Sequence, residues 1–121
     1  MGGLAAAGAV APFFDKVTVV ERDALPESPV QRLGTLQGRH VHALLVGGQR
    51  ALESLLPGFT DALIAGGAVA TRANLDGWVE MPGYDPFPRR DFGWLGYWAS
   101  RPLLEFTARN RAERANVEFR D

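Results

Sequence analysis

The first 23 residues, MGGLAAAGAVAPFFDKVTVVERD (residues 1–23), decide the predicted fold class of this chain. The stretch Gly3–Phe14 is rich in alanine and glycine, and it predicts a helix whose small side chains permit close packing on a sheet or a ligand. The next segment, Val17–Val20, is β-branched throughout and predicts a strand buried on both faces. Glu21 follows directly. This order of helix, strand and acid is typical of the second half of a nucleotide-binding βαβ unit.

A dinucleotide site would use three features of this stretch. Glycines let the backbone approach a pyrophosphate, a helix N-terminus faces the anion, and an acid about 20 positions on binds the ribose hydroxyls. Gly2 and Gly3 begin the predicted helix, and Glu21 lies 18 positions after Gly3. No strand precedes these glycines, so we interpret the unit as incomplete. The alternative is a plain helix–strand pair in which Glu21 is a solvated strand end.

Composition narrows the class of protein. With 121 residues the chain is one domain or less, and 46% hydrophobic residues provide for a globular core. A net charge of −1 with scattered arginines gives no reason to expect nucleic acid or an anionic membrane as a partner. The absence of cysteine excludes disulfides and thiolate sites and favours a cytoplasmic protein. The apolar run Leu4–Phe14 is too short to span a membrane.

Alternating elements along the rest of the chain predict an α/β protein. Predicted helices cover His40–Leu56, a short segment Asp61–Ile64 capped by Thr60, and a segment from Ser100 or Pro102 to Arg114. Predicted strands cover Ala68–Arg72, Trp78–Met81, Tyr97–Ser100 and Val117–Arg120, and the strands at the two ends of the chain are of the parallel type. Asp23–Leu36 and Pro82–Asp91 are predicted loops. We divide residues 1–121 into a βαβ remnant (1–22), a helical and β insertion (23–100), and a helix and strand (101–121).

Further candidate site residues follow the first motif. Arg32 and Arg39 can hold phosphate, and Arg101 at a helix start can reach an anion held by another helix, unless it is a plain surface arginine. His40 and His42, if helical, point about 200° apart and cannot share a metal, so we predict no metal site.

An aromatic group forms one more candidate. Its members, Trp94, Tyr97 and Trp98, line a substrate pocket or, as the alternative, pack in the core.

Four segments together resemble the N-terminal part of bacterial FAD-dependent monooxygenases. The resemblance is to the para-hydroxybenzoate hydroxylase class, within the branch that includes polyether and squalene-type epoxidases. It covers nearly the whole chain, and its more specific parts are QGRHVHALL (37–45) and SRPLLE (100–105). The four segments are VTVVERD (17–23), RLGTLQGRHVHALL (32–45), LPGF (56–59) and SRPLLE (100–105).

The resemblance implies an FAD cofactor and a set of residues that contact it. Glu21 matches the acid that binds the ribose, Arg22 lies near the adenine, and Arg32 and Arg101 reach the cofactor. The full set of cofactor-binding residues is Gly2, Gly3, Glu21, Arg22, Arg32, Gln37 and Arg101. No catalytic residue is assigned.

The resemblance also implies an activity for the parent protein. It would use NAD(P)H to reduce FAD and then hydroxylate or epoxidise a small apolar organic substrate. We expect this chain to be a partial Rossmann-like FAD/NAD(P)-binding fold that lacks the first strand and the C-terminal half, with little turnover of its own and an unpaired edge on the strand Val17–Val20. The alternatives are a non-catalytic binding or interaction module derived from that fold, and a flavin-dependent reductase or halogenase on the same scaffold.

Overall fold

The computed structural model describes residues 1–77, 80–114 and 116–121, without the side chain of Val41. The predicted strand Trp78–Met81 therefore lies in part outside the described residues. The fold is mixed α/β. Its helices are α1 (Gly2–Val10), α2 (Val46–Leu55), α3 (Phe59–Ala65) and α4 (Arg101–Ala112), and its strands are β1 (Val17–Val20), β2 (Val41–Leu44), β3 (Val69–Arg72), β4 (Leu95–Ser100) and β5 (Val117–Arg120).

The two ends of the chain form a small parallel sheet. β1 pairs with β5 from Val17 opposite Val117 to Val20 opposite Arg120. Each strand follows a helix, α1 before β1 and α4 before β5, and the two helices pack against each other. The prediction that the terminal strands are of the parallel type is confirmed. Among the described strands β1 has a neighbour on one side only.

The middle of the chain forms an antiparallel sheet with the order β2-β4-β3. Alternate residues of β4 face opposite sides, so Tyr97 and Ala99 are buried while Trp98 is 46% exposed. The Trp98 indole N–H donates to Thr71 Oγ1 at 2.9 Å. Tyr97 is therefore a core residue, whereas Trp98 lies on the outer face of the sheet.

The main core lies between this sheet, α3 and α4. Leu56, Phe59 and Leu63 are fully buried there, together with Ala108 from α4. Burial of each large side chain contributes about 1.5–3 kcal/mol to stability. A second, smaller cluster lies under α1, where alanines pack against Val117 of β5. These two clusters hold both helix N-termini, those of α1 and α4, near the end of the parallel sheet.

The prediction of one helix over His40–Leu56 is wrong. A 3₁₀ turn covers Leu36–Arg39, then β2 forms, and the helix begins only at Val46. The backbone of β2 pairs with β4, which lies more than 50 residues later in the chain, and this tertiary pairing overrides the helical periodicity. His42 lies in the strand and His40 immediately precedes it. The argument that separated the two histidines on a helix therefore does not apply.

The predicted cap at Thr60 is also wrong. Gly58, with a φ of 79°, precedes the first residue of α3, and Thr60 lies inside the helix. The capping acceptor comes from α2 instead, because the Glu53 carboxylate accepts from the Gly58 N–H at 2.6 Å and from the Thr60 N–H at 2.8 Å. At α4 the cap is Ser100, whose Oγ accepts from the Leu103 N–H at 3.2 Å.

The burial predicted for β1 is wrong as well. Val17 and Val19 are half-buried, but Thr18 is exposed and Val20 is 79% exposed. The strand has α1 on one face, and its other face is open. The continuous β-branched run predicted the strand itself correctly, with the observed boundaries.

No helix among the described residues is long and apolar enough to cross a membrane.

Candidate functional site

A pocket of about 160 Å³ lies where the parallel sheet ends. Its floor is the end of β1 and β5, and the first turns of α1 and α4 form two of its sides. In open α/β sheets, ligands bind outside the carboxyl ends of the strands, which is the position of this pocket. The residues that line it are Met1, Gly3, Leu4, Val19, Val20, Glu21, Leu25, Pro26, Ser28, Val30, Arg32, Pro102, Glu105, Phe106, Arg109 and Phe119.

The start of α1 leaves the backbone open to this pocket. A Cβ atom added at Gly2 or Gly3 would meet no other atom within 4 Å. Gly3 also lines the pocket. A ligand can therefore approach the first turn of α1 without a side chain in the way, as a pyrophosphate does at a helix N-terminus.

A loop that we name the strap, residues 22–35, crosses the pocket between β1 and the 3₁₀ turn. Three contacts attach the strap to the rest of the fold. The Leu25 N–H donates to Asp121 Oδ2 at 2.8 Å, and the Arg109 guanidinium donates to the Pro26 carbonyl. The third contact is Arg32, which reaches back to the end of β1 and to α4. The strap therefore places the Arg32 guanidinium next to Glu21, the acid that follows β1.

Four side chains of alternating charge meet beside the pocket. Arg32 Nη1 lies 3.0 Å from Glu21 Oε2, and Arg32 Nη2 lies 3.3 Å from Glu105 Oε2. The other oxygen of Glu105 accepts from Arg101 Nε at 3.2 Å and Nη2 at 3.1 Å. The order is Glu21, Arg32, Glu105, Arg101, and we call this set the charge chain. Its total charge is zero.

Arg32 and Glu105 are the most enclosed members of the charge chain. The side chain of Glu105 is 12% exposed and that of Arg32 is 16% exposed. The Arg32 Nη1 atom is buried and makes no hydrogen bond of normal geometry with the described residues, so its contact with Glu21 is mainly electrostatic. Enclosure makes both groups dependent on their partners, because an unpaired buried charge is costly.

The local charges shift the pKa values of this site. The Arg32 guanidinium beside Glu21 is the main cause that lowers the pKa of Glu21, and the backbone N–H groups of Asp23 and Arg22 add to the effect. Burial alone would lower the pKa of Arg32, but Glu21 and Glu105 together raise it. Burial lowers the pKa of the Met1 amino group, which lies 3.8 Å from Glu105 Oε1. Glu21 is thus held as a carboxylate at neutral pH.

Three of the seven predicted cofactor residues line the pocket together. These are Gly3, Glu21 and Arg32. Arg101 is not among the described lining residues and connects to the pocket through Glu105. Sequence reasoning missed Glu105 as a site residue. The available signal was its position four residues after Arg101, a spacing that places two side chains side by side on a helix.

The other three predicted residues are not among the described residues that line the pocket. Gly2 is in the first turn of α1. The Arg22 side chain is 86% exposed and lies 3.4 Å from Asp23 Oδ1, although its backbone N–H donates to Glu21. Gln37 lies in the 3₁₀ turn Leu36–Arg39.

A second, shallower groove involves Trp94 of the predicted aromatic group. Trp94 and Phe92 have ring centroids 5.6 Å apart, and both line the groove with Phe87. Trp94 is about half exposed. A substrate role for this groove stays a prediction.

The chain resembles one curated mycobacterial protein over almost its whole length. It is 35% identical over 127 residues to Protein Rv3254 of Mycobacterium tuberculosis, an alignment that covers 98% of this chain. The chain spans about a quarter (26%) of the length of that relative. No protein-family model matches the chain.

Proposed function

We propose that this chain contributes the adenosine-diphosphate part of an FAD site in a monooxygenase-like oxidoreductase. The observation that carries the proposal is the convergence of Gly3, Glu21 and Arg32 on one pocket at the end of the parallel sheet. These residues come from the start of α1, the end of β1 and the strap. The arrangement supports a partial Rossmann-like fold, in which the helix start and the acid after the second strand face the same ligand.

The size of the pocket favours a part of the cofactor over the whole. Pockets that enclose a drug-sized molecule have volumes of about 300–1,000 Å³. The present pocket has about 160 Å³, which suits a nucleoside fragment better than a complete dinucleotide. The proposal therefore concerns the adenosine half, and it leaves the flavin ring to other residues of the complete protein.

Glu21 keeps hydrogen-bonding capacity for a ribose. A carboxylate offers about four lone-pair positions. The Arg22 and Asp23 N–H groups occupy Oε1 at 2.9 and 3.3 Å, and Arg32 contacts Oε2. One position on Oε2 remains for a ribose hydroxyl. The open first turn of α1 and the guanidinium of Arg32 fit a diphosphate on the same side.

FAD, when bound, supplies the redox chemistry, with NAD(P)H as the reductant and a small apolar molecule as the proposed substrate. The residues of this chain bind and orient the nucleotide end. Glu21 accepts from the ribose, Arg32 donates to the phosphates, and the strap shields them from water. No residue of the chain is proposed as catalytic.

Calorimetric titration of the purified chain with ADP tests this proposal. We expect ADP to bind, and we expect Glu21→Gln to weaken binding about tenfold, since a hydrogen bond to a charged group contributes about 1.5–3 kcal/mol. The matched control is Glu27→Gln, an exposed carboxylate on the strap with no contact to the pocket.

A nucleotide without ribose hydroxyls sharpens the titration. The wild-type chain should prefer ADP to 2′,3′-dideoxy-ADP, and Glu21→Gln should lose that preference. A chain that binds no ADP, or a Glu21→Gln variant that keeps the preference, would contradict the proposal. Thermal melting of each variant by circular dichroism separates lost binding from lost folding.

A further inference from the structure

We propose that Arg101 acts on the nucleotide only through Glu105, and that the two residues together position Arg32. This inference rests on the proposed function, since it concerns the same pocket. It differs from the role that the family resemblance implies for Arg101, which is a direct contact with the cofactor. Arg101 and Glu105 are positioning residues, whereas Arg32 is the arginine that contacts the ligand.

The first argument is the placement of the two arginines. Arg32 and Glu105 line the pocket, but Arg101, at the first position of α4, is not among its described lining residues. Two nitrogens of Arg101, Nε and Nη2, lie 3.2 and 3.1 Å from Glu105 Oε1. Both of the hydrogen bonds found for the Arg101 side chain therefore go to Glu105 instead of the pocket.

The second argument is the use of both Glu105 oxygens. Oε1 faces Arg101, and Oε2 lies 3.3 Å from Arg32 Nη2. Glu105 is on a rigid helix, whereas Arg32 is on the strap, which has no regular secondary structure. The contact fixes a loop side chain against a helix, and the Arg32 guanidinium keeps one orientation in the pocket.

The third argument is charge. A carboxylate that lines a phosphate pocket repels the ligand, so Glu105 by itself would weaken binding. Arg101 neutralises this carboxylate at Oε1, the oxygen opposite to the one that contacts Arg32. Without Arg101, the cations beside Glu21 and Glu105 would be Arg32 and the Met1 amino group, which lies 3.8 Å from Glu105 Oε1, and the four-residue charge chain would carry a net negative charge. The pair lets Glu105 orient Arg32 without an electrostatic penalty for an anion.

A double-mutant cycle on ADP binding tests the inference. The variants are Arg101→Gln, Glu105→Gln and the double variant, with Glu27→Gln as the control for loss of one negative charge. We expect Glu105→Gln to weaken ADP binding about tenfold although it removes a negative charge, because the charge-assisted contact that orients Arg32 is lost. We expect the double variant to bind no more weakly than Glu105→Gln, because Arg101 has no other route to the ligand.

A direct contact of Arg101 with the ligand predicts other results. Glu105→Gln would then bind ADP as well as the wild type or better, and Arg101→Gln would weaken binding by the same factor in both backgrounds. Either result overturns the inference. Arg101→Lys, which keeps the charge but loses the second donor nitrogen, provides a milder variant in case the Gln substitutions prevent folding, and a partial loss of ADP affinity is expected for it.

A second measurement does not depend on ligand. We expect the Nη2–H₂ resonance of Arg32, the group that faces Glu105 Oε2, to be resolved and protected in ¹⁵N NMR spectra of the wild type and Glu27→Gln. It should be averaged by exchange in Glu105→Gln and weakened in Arg101→Gln. If the wild type binds no ADP, the proposed function fails, and this resonance still decides whether Glu105 and Arg101 position Arg32. An unchanged resonance in both variants overturns the inference.

Discussion

Glu21 and Glu53 are two carboxylates whose pKa values the fold lowers by different means. Arg32 is the main cause at Glu21, and the N–H of Thr60 is the main cause at Glu53. The first arrangement belongs to the pocket, and the second joins α2 to α3. The same residue type thus lines a pocket in one place and caps the start of a helix in another.

Glu53→Gln should destabilise the fold by about 1–2 kcal/mol, because a neutral amide caps the N–H groups of Gly58 and Thr60 less well than a carboxylate. The lowered folded-state pKa makes this contribution depend on pH. It is fully present above the ordinary Glu value of 4.5 and is lost as pH falls through the lower folded-state value.

Urea unfolding at pH 7 and at pH 3 measures this difference. The stability gap between the wild type and Glu53→Gln should be largest at pH 7 and should shrink at pH 3. The control is Glu113→Gln, which changes an exposed carboxylate at the end of α4. A gap of the same size at both pH values would show that the Glu53 charge does not cap α3.

At the scale of elements, α1 uses its small residues for two purposes. Gly8 faces the end of α2, where an added Cβ would lie 2.7 Å from Leu56 Cδ2 and 2.9 Å from the Leu55 carbonyl oxygen. Gly3 lies in the first turn of the same helix and lines the pocket. A Cβ atom added at Gly3 would meet no other atom within 4 Å. One glycine permits packing, and the other leaves room for a ligand.

Gly8→Ala should destabilise the chain by about 1–3 kcal/mol, because the new methyl group pushes α1 away from a backbone oxygen that has little freedom to move. Gly3→Ala is the matched control on the same helix, and it should be neutral or stabilising by up to about 1 kcal/mol. Urea unfolding monitored by tryptophan fluorescence measures both. Equal effects of the two substitutions would contradict the close packing of α1 on α2.

Elements that depend on local signals are predictable from this sequence, and elements that depend on distant pairing are not. β1 follows from its β-branched run, and α4 follows from Ser100 at the N-cap and Pro102 in the first turn. The apolar spacing of β2 continues that of α2 and predicts a helix, and only the pairing with β4 makes this segment a strand.

At the scale of the whole molecule, the two sheets have different roles: one belongs to the main core and the other ends at the candidate site. The antiparallel sheet packs with α3 and α4 in the main core, while the parallel pair β1 and β5 ends at the pocket. α4 takes part in both, because its buried residues belong to the core and its first turn holds Arg101 and Glu105. The antiparallel sheet therefore supports the site without lining it.

The sequence predicts the identity of some site residues, but it does not predict the contacts between their side chains. Glu21 and Arg32 follow from the strand–acid pattern and the resemblance, and both line the pocket. Their contact required the strap to fold back across the end of β1, which no local pattern specifies. Glu105 belongs to the SRPLLE segment (100–105), but that segment does not specify its contact with Arg32, which lies 73 residues earlier.

The most direct test of the central claim is a map of ADP binding on the chain by ¹H–¹⁵N NMR titration. The account predicts that the amide signals which shift on addition of ADP belong to the start of α1, the end of β1, the strap and the first turn of α4, with Gly3, Glu21 and Glu105 among them. It predicts no shifts around Phe92 and Trp94 in the second groove. Signals that shift only in that groove, or no shifts at millimolar ADP, would contradict the claim that the pocket at the end of β1 is a nucleotide site.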